Sequence, residues 1–383
     1  MRVSLMPNGN LIGIYLGTSL IYNWEPHWYT TGISLIHNWD ASDNEWKYNS
    51  MSKINFSSLS DYRTELMGAA MLFVMLFHVG MDRHSTFYAL HRIGNVGVDI
   101  FLLLSGIGLW FAWQKKPSLK HFYWRRFVRL YPAWLIMAML FYIPNHINTP
   151  GGGYSPDIIN LVLNILFGWS FWRCDDLTFW FIPAIMALYL IAPFYLRLIR
   201  RNPSWRWLPA VAMVWAVMVQ YYPPVHSLVG HVEIFWSRVP IFLLGINFGS
   251  MVAEKRTLEG SALWLLLLTL VLSLMMCLEF EESWRGRFPL FLERMVYIPL
   301  AISLALLLAH CLEKAPRWLL RSMAFVGVLS LEAYLIHLHF ILVNVQKYDL
   351  GYVLTSLITI VVSLALAFVL HHLVAFITRF LPR

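Results

Sequence analysis

Two apolar runs, residues 61–80 (DYRTELMGAAMLFVMLFHVG) and 94–113 (GNVGVDIFLLLSGIGLWFAW), constrain this chain more than any other feature. Each is about as long as a helix must be to cross a bilayer. Each also carries an ionisable side chain that hydrocarbon rejects, His78 in the first and Asp99 in the second. In lipid the backbone N–H and C=O groups must be satisfied within the protein, so such runs become helices. Ionisable groups inside them are costly and by default mark a site or pathway in the bundle interior. A dense basic stretch follows at 115–132 (KKPSLKHFYWRRFVRLYP). Together the three pieces suggest chemistry inside a membrane, fed with an anionic substrate from the basic side.

The remainder of the chain agrees. Of its 383 residues, 58% are hydrophobic and 13% charged, against about 25% charged in a soluble domain. The expected class is all-α, a polytopic membrane helix bundle. The net charge of +8 sits mainly in loops between apolar runs. That pattern sets orientation in a membrane, whereas a basic coat would point to nucleic acid. No nucleic-acid partner is expected. Cys174, Cys277 and Cys311 have no metal-ligand spacing and are odd in number, so neither a disulfide framework nor a metal site is expected. No basic region followed by a short apolar core opens the chain, so no cleavable signal peptide is expected.

Residues 1–60 stand apart: they are rich in Asn, Trp, Tyr and Ser, and hold no run long enough to span. They contain a twofold repeat, GTSLIYNW at 17–24 and GISLIHNW at 32–39. Two copies do not make a repeat domain. The segment reads either as a polar and aromatic extension or as sequence preceding a natural start at Met51. The membrane domain is expected over 61–383. Spans are expected near 62–82, 93–113, 130–146, 179–198, 208–222, 231–252, 262–280, 291–311, 323–346 and 351–378. The apolar run 158–172 is short for a span. If it crossed, the basic loops after it would move to the outside, against the positive-inside rule. It is therefore expected to be re-entrant or interfacial. The result is ten spans with both termini in the cytoplasm and an outer segment at 147–178, rich in Trp and Phe. Its aromatics suit an interfacial belt, and Asp175 and Asp176 are weak candidates for contacting an acceptor.

Several groups can do chemistry, and each has a plainer reading. An imidazole at His78 can take and return a proton near pH 7, or it can simply bond another helix. Asp99 can orient that imidazole, as the carboxylate of a catalytic triad does, or sit at a helix start where the macrodipole favours it. Glu332, Tyr334, His337 and His339 crowd one span, SLEAYLIHLHF. They suit either a polar cavity, with Glu332 and His337 foremost, or an interhelical network. His371 and His372 are adjacent and do not share a face. Lys115, Lys116 and Lys120 are explained by orientation charge. Arg125, Arg126 and Arg129 open the third span, and arginine forks bind phosphate in a bidentate way.

At these residues a resemblance emerges. The pieces LMGAAMLFVMLFH, GVDIFLLLSGI, RRFVRLYP and SLEAYLIH, in that order, make the chain similar to the acyltransferase 3 family over about residues 62–383. The resemblance implies a bacterial membrane protein that acylates hydroxyls of cell-envelope glycans, with His78 as its catalytic residue. It also implies a phosphate-binding R-x-x-R at Arg126 and Arg129. The family carries an Arg eleven positions before the His, where this chain has Met67; Arg63, one turn earlier on the same face, is its expected substitute.

The expectation is a multi-pass inner-membrane O-acyltransferase. It would move an acyl group, acetyl for preference, from acyl-CoA to a polysaccharide or lipid-linked sugar. Catalysis is expected from His78, Asp99, Glu332 and His337, and donor binding from Arg63, Arg125, Arg126 and Arg129. Acyl-CoA would be a substrate, with no permanently bound cofactor. The rival is a transporter or flippase that uses the same groups as a proton relay or solute path. Against it, the two halves of the chain show no matching broken helices.

Overall fold

The computed structural model describes residues 53–149, 151–174 and 176–381. Up to residue 52, the extension with its repeat and the Met51 start lies outside the described residues, as does Asp175. Twelve principal helices build the fold: α1 (Arg63–His78), α2 (Val96–Lys115), α3 (Leu119–Asn148), α4 (Ile158–Phe167), α5 (Phe181–Arg201), α6 (Leu208–Tyr221), α7 (Val239–Ala253), α8 (Ser261–Glu282), α9 (Leu290–Glu313), α10 (Arg317–Val328), α11 (Ser330–Ile336) and α12 (Gly351–Thr378). Among the described residues, six helices are long and apolar enough to cross a membrane, or eight if each of two bent pairs counts as one span. The protein is thus a helical membrane protein.

The architecture departs from simple spans in ways that have local causes. The run at 158–172 is split: α4 ends at Gly168, whose φ of 60° breaks the helix before a short turn at Trp169–Cys174. The segment expected at 231–252 begins its helix only at Val239, with Pro240 in the first turn, where a missing N–H costs nothing. The helices Pro203–Tyr221 and Pro223–Trp236 before it bend by 94°. The segment at 323–346 bends by 60° at Leu329, and its second half contains a π-helical turn, His337–Leu342. The basic stretch is largely not a loop. α3 starts at Leu119 and carries Arg125, Arg126 and Arg129 in its first three turns, because Lys and Arg are good helix formers.

Two crossings bring the central helices together through glycine. α1 packs on α10 and α2 on α7. A Cβ on Gly327 would strike the Thr64 carbonyl, and one on Gly106 the Phe242 carbonyl. Such close backbone approach is how membrane helices gain contact without a hydrophobic driving force. α1 buries Leu66, Met67, Ala70, Met71 and Val74, a spacing of three and four that makes one face. Outside the bundle, strand β1 (Lys53–Asn55) pairs antiparallel with β2 (Thr257–Glu259), and Ser58 donates to the Glu313 carboxylate.

Candidate active site

α1 carries a distinct cluster at each end. Arg63 and His78 are fifteen residues apart on it, about 22 Å along the axis at 1.5 Å per residue.

At the C-terminal end, His78 meets His337 of the π turn. His78 Nδ1 lies 2.8 Å from the Val74 carbonyl and 3.2 Å from His337 Nε2. His337 Nδ1 lies 3.1 Å and 2.9 Å from the carbonyls of Ala333 and Tyr334. Carbonyls only accept, so both Nδ1 atoms carry the proton in the neutral rings, as the network assigns it. His337 Nε2 is then an acceptor towards His78 Nδ1–H. The opposite nitrogen of His78, Nε2, keeps its lone pair. That is the state a general base needs. The π turn adds one residue to the helical repeat, and such turns recur at functional sites. Here it holds His337, which is 1% exposed, against His78.

Rings link this pair to a cleft. Phe77 lies edge-on to His78 at 5.0 Å and stacks with His91 at 6.4 Å, and His91 lies edge-on to Tyr352 at 5.4 Å. Through Nε2, His91 also bonds the carbonyls of Leu76 and Val79 at the end of α1, groups a helix terminus leaves unsatisfied. The cleft has a volume of about 500 Å³ and is lined by Gly80, Asp82, Ser85, Gln346, Asp349 and Tyr352 among others. Its lining begins two residues beyond His78, at Gly80, and its first polar side chain is Asp82.

At the N-terminal end, Arg63 donates from Nε to the Leu104 carbonyl at 3.1 Å. It fills space left by Gly108, where a Cβ would sit 2.8 Å from its Nη2. Arg63, Arg126 and Arg129 lie within electrostatic reach of one another, with Tyr189 beside Arg63 and Arg126. The Arg126 guanidinium covers the Phe122 ring at 4.3 Å. Arg125 is exposed. Among the described residues, no carboxylate stands at ion-pair distance from Arg63, Arg126 or Arg129. Three clustered cations with no carboxylate at ion-pair distance carry the charge that attracts an anion.

Three sequence expectations need correction. Asp99 does not reach His78. It is fully buried and paired with Arg238, also buried, because a carboxylate at that depth requires a cation. Around this pair run Arg294–Glu233, Arg92–Glu281 and Arg285–Glu281, with Tyr297 bonded to Glu293. Four acids and four arginines balance there. Glu332 and His337 do not share one polar cavity. Glu332 bonds His371 Nδ1 at 2.9 Å on α12, and that imidazole lies near Arg129. His371 was set aside and Arg238 was missed: their partners are 39 and 139 residues away in sequence. Finally, Asp176 is occupied locally, accepting from Ser170 Oγ at 2.6 Å and from Thr178 N at 2.9 Å. Asp157 likewise caps α4, and the Asn160 backbone and side-chain N–H groups hold its carboxyl below the usual range. His339 packs its ring against Phe141 and Phe179 at 5.1 and 4.8 Å, apart from the His78–His337 contact. Among the described residues no group of three or more His, Cys, Asp or Glu is placed to hold a metal ion.

Comparison with known proteins adds an independent finding. A family model described as an acyltransferase domain matches residues 68–372. The chain is also similar to the acyltransferase MdmB of Streptomyces mycarofaciens, with 30% identity over 135 residues. That alignment covers 33% of this chain and 35% of the relative, so the chain spans about a third of the curated relative's length. No solved structure matches.

Proposed function

Because the chain belongs to the acyltransferase 3 family, we propose that it is a membrane O-acyltransferase. It takes an acyl group, acetyl in the first instance, from acyl-CoA to a hydroxyl of a cell-envelope polysaccharide or lipid-linked sugar. One observation carries this reading: α1 joins an arginine cluster, with no carboxylate at ion-pair distance, at one end to a pair of histidines in contact at the other. The phosphates of the donor suit Arg63, Arg126 and Arg129. A long, flexible thioester arm can bridge the 22 Å to His78, which a compact substrate cannot.

In this mechanism His78 Nε2 takes the proton of the acceptor hydroxyl. The oxygen attacks the thioester carbonyl, and the tetrahedral intermediate expels the CoA thiolate. The thiolate recovers the proton from His78, so the products are an ester and free CoA. While His78 is protonated, His337 Nε2 accepts from its Nδ1–H and spreads the charge over two rings. The cleft at Gly80 and Tyr352 receives the acceptor; its carboxylates, amide and aromatic ring suit a polyhydroxyl compound. Purified protein given labelled acetyl-CoA and envelope glycans is expected to yield labelled ester and free CoA. An intact thioester would overturn the reading and favour a transporter.

The donor site makes its own prediction. Arg126→Ala or Arg129→Ala should weaken acyl-CoA use by about 10- to 150-fold, equivalent to roughly 1.5–3 kcal/mol for a charge-assisted contact. Lys115→Ala, at the exposed end of α2, should change it little. Equal effects at all three positions, read as KM for acyl-CoA, would reduce the site to a diffuse basic surface.

We further propose ten spans with both termini cytoplasmic, in an inner membrane. Pairings across the chain support this. β1 and β2 lie before the first and after the sixth expected span, and Ser58 and Glu313 before the first and after the eighth. Arg92 and Glu281 follow the first and seventh. Each contact requires an even number of crossings between its partners, which a further crossing at 158–172 would violate for all three. A reporter fused after Arg201 should read cytoplasmic and one after Glu282 external. An external reading at Arg201 would eliminate the ten-span arrangement.

A further inference from the structure

α12 turns large apolar side chains outward, among them Val353, Leu357, Val361 and Val369, and buries a row of hydroxyls. Thr355, Ser356, Thr359 and Ser363 recur at helical spacing, so they share a face. Ser356 is 5% exposed, and Thr359 and Ser363 are 0% exposed. Among the described residues, the hydroxyl oxygens of Thr359 and Ser363 have no hydrogen-bond partner, whereas Ser356 has the Tyr352 hydroxyl four residues before it.

This is not how the chain treats its other helical hydroxyls. Thr269, Ser273, Ser303 and Ser322 each donate to the carbonyl four residues back, at 2.7, 2.6, 2.7 and 2.9 Å. That bond is the usual way a membrane helix satisfies Ser and Thr. A buried hydroxyl left unpaired is costly, and alanine would serve close packing equally well. Two fully buried, unpaired hydroxyls one turn apart on one face therefore call for a partner that is not part of the protein.

The face lies where such a partner would pass. α12 packs on α1, α3, α11 and the π turn, which carry Arg63 and His78, Arg126 and Arg129, Glu332, and His337. The hydroxyl row starts beside Thr355, which lines the cleft. Further along the same helix lies His371, bonded to Glu332 and near Arg129. From Ser356 to Ser363 is about 10 Å along the axis. We propose that Thr359 and Ser363 form the track for the amide-bearing arm of the acyl donor. Their hydroxyls hydrogen-bond the amide groups of the pantetheine chain as it runs from the arginine cluster to His78. This rests on acyl-CoA being the donor.

The test compares two ligands on the full chain in nanodiscs. Acetyl-CoA has the arm; adenosine 3′,5′-bisphosphate has phosphates and base but no arm. The double variant Thr359→Val/Ser363→Ala should raise the Kd for acetyl-CoA about 25-fold, at about fivefold for each hydrogen bond lost. It should leave the Kd for the bisphosphate unchanged. Its Tm should equal or exceed the parent's, because unpaired buried hydroxyls have been removed. Thr359→Ser alone, which keeps the hydroxyl, should retain affinity. An acetyl-CoA Kd within twofold of the parent's would overturn the track and leave the donor reading intact. An equal loss for both ligands would also overturn it, as general damage. A parent that binds neither ligand would overturn the donor reading and the track together.

Discussion

Acyl transfer by a His78→Gln protein is expected to fall by about 10²- to 10⁴-fold, the contribution of a general base, with the protein still in the membrane. Glutamine keeps a hydrogen-bonding group for the Val74 carbonyl and His337, but it takes up no proton. The two readings of His78 therefore separate cleanly. If its bonds only tie α1 to the π turn, Gln should restore most activity and Ala should cost little stability, since membrane side-chain hydrogen bonds average about 0.6 kcal/mol. If Nε2 is the base, Gln and Ala should be similarly inactive. Near-normal turnover by well-expressed His78→Gln would remove the assignment and leave His337 as the next candidate.

The second large effect falls on folding. Asp99→Ala or Arg238→Ala should each cost about 3–5 kcal/mol, because each strands the opposite charge in the bundle. Asp99 and Arg238 are 0% and 1% exposed, so no water reaches the survivor. The expected readouts are low yield and a marked fall in Tm, before any change in chemistry. Replacing both partners by apolar residues of similar size, Asp99→Leu with Arg238→Met, should recover much of the loss, as buried pairs often tolerate such exchange. A stable Asp99→Asn protein that has lost only turnover would return Asp99 to the reaction.

These outcomes follow local and distant parts of the chain unequally. The helices carrying His78, Asp99 and the R-x-x-R were legible because apolar length and embedded charge are properties of one segment. Arg238 was not legible as the partner of Asp99. It lies inside the span expected at 231–252, but nothing in its own segment points to Asp99, and the pairing bridges 139 residues. Of the two readings of Asp99, the triad one fails for that reason and the helix-start one holds, with Asp99 in the first turn of α2: Asp99 and His78 are close in sequence, but the cation decides where the carboxylate goes. His337 was singled out for its place in a polar-rich span. Its contact with His78, across 259 residues, depends on a π turn that no periodicity announces. His371 was set aside because two adjacent histidines cannot share a face. Only His371 of the two meets Glu332; His372 bonds the Phe368 carbonyl of its own helix.

The separation of Asp99 from Arg238 also bears on how the protein is made. A ribosome adding about 5–20 residues per second passes Asp99 roughly 7–28 s before it reaches Arg238. During that interval a carboxylate stands in a newly inserted helix without its cation. A chain stopped anywhere between the two holds Asp99 in its second helix without that cation, where the carboxyl would take up a proton rather than stay charged. The pair can therefore form only once the chain has reached the start of its seventh principal helix.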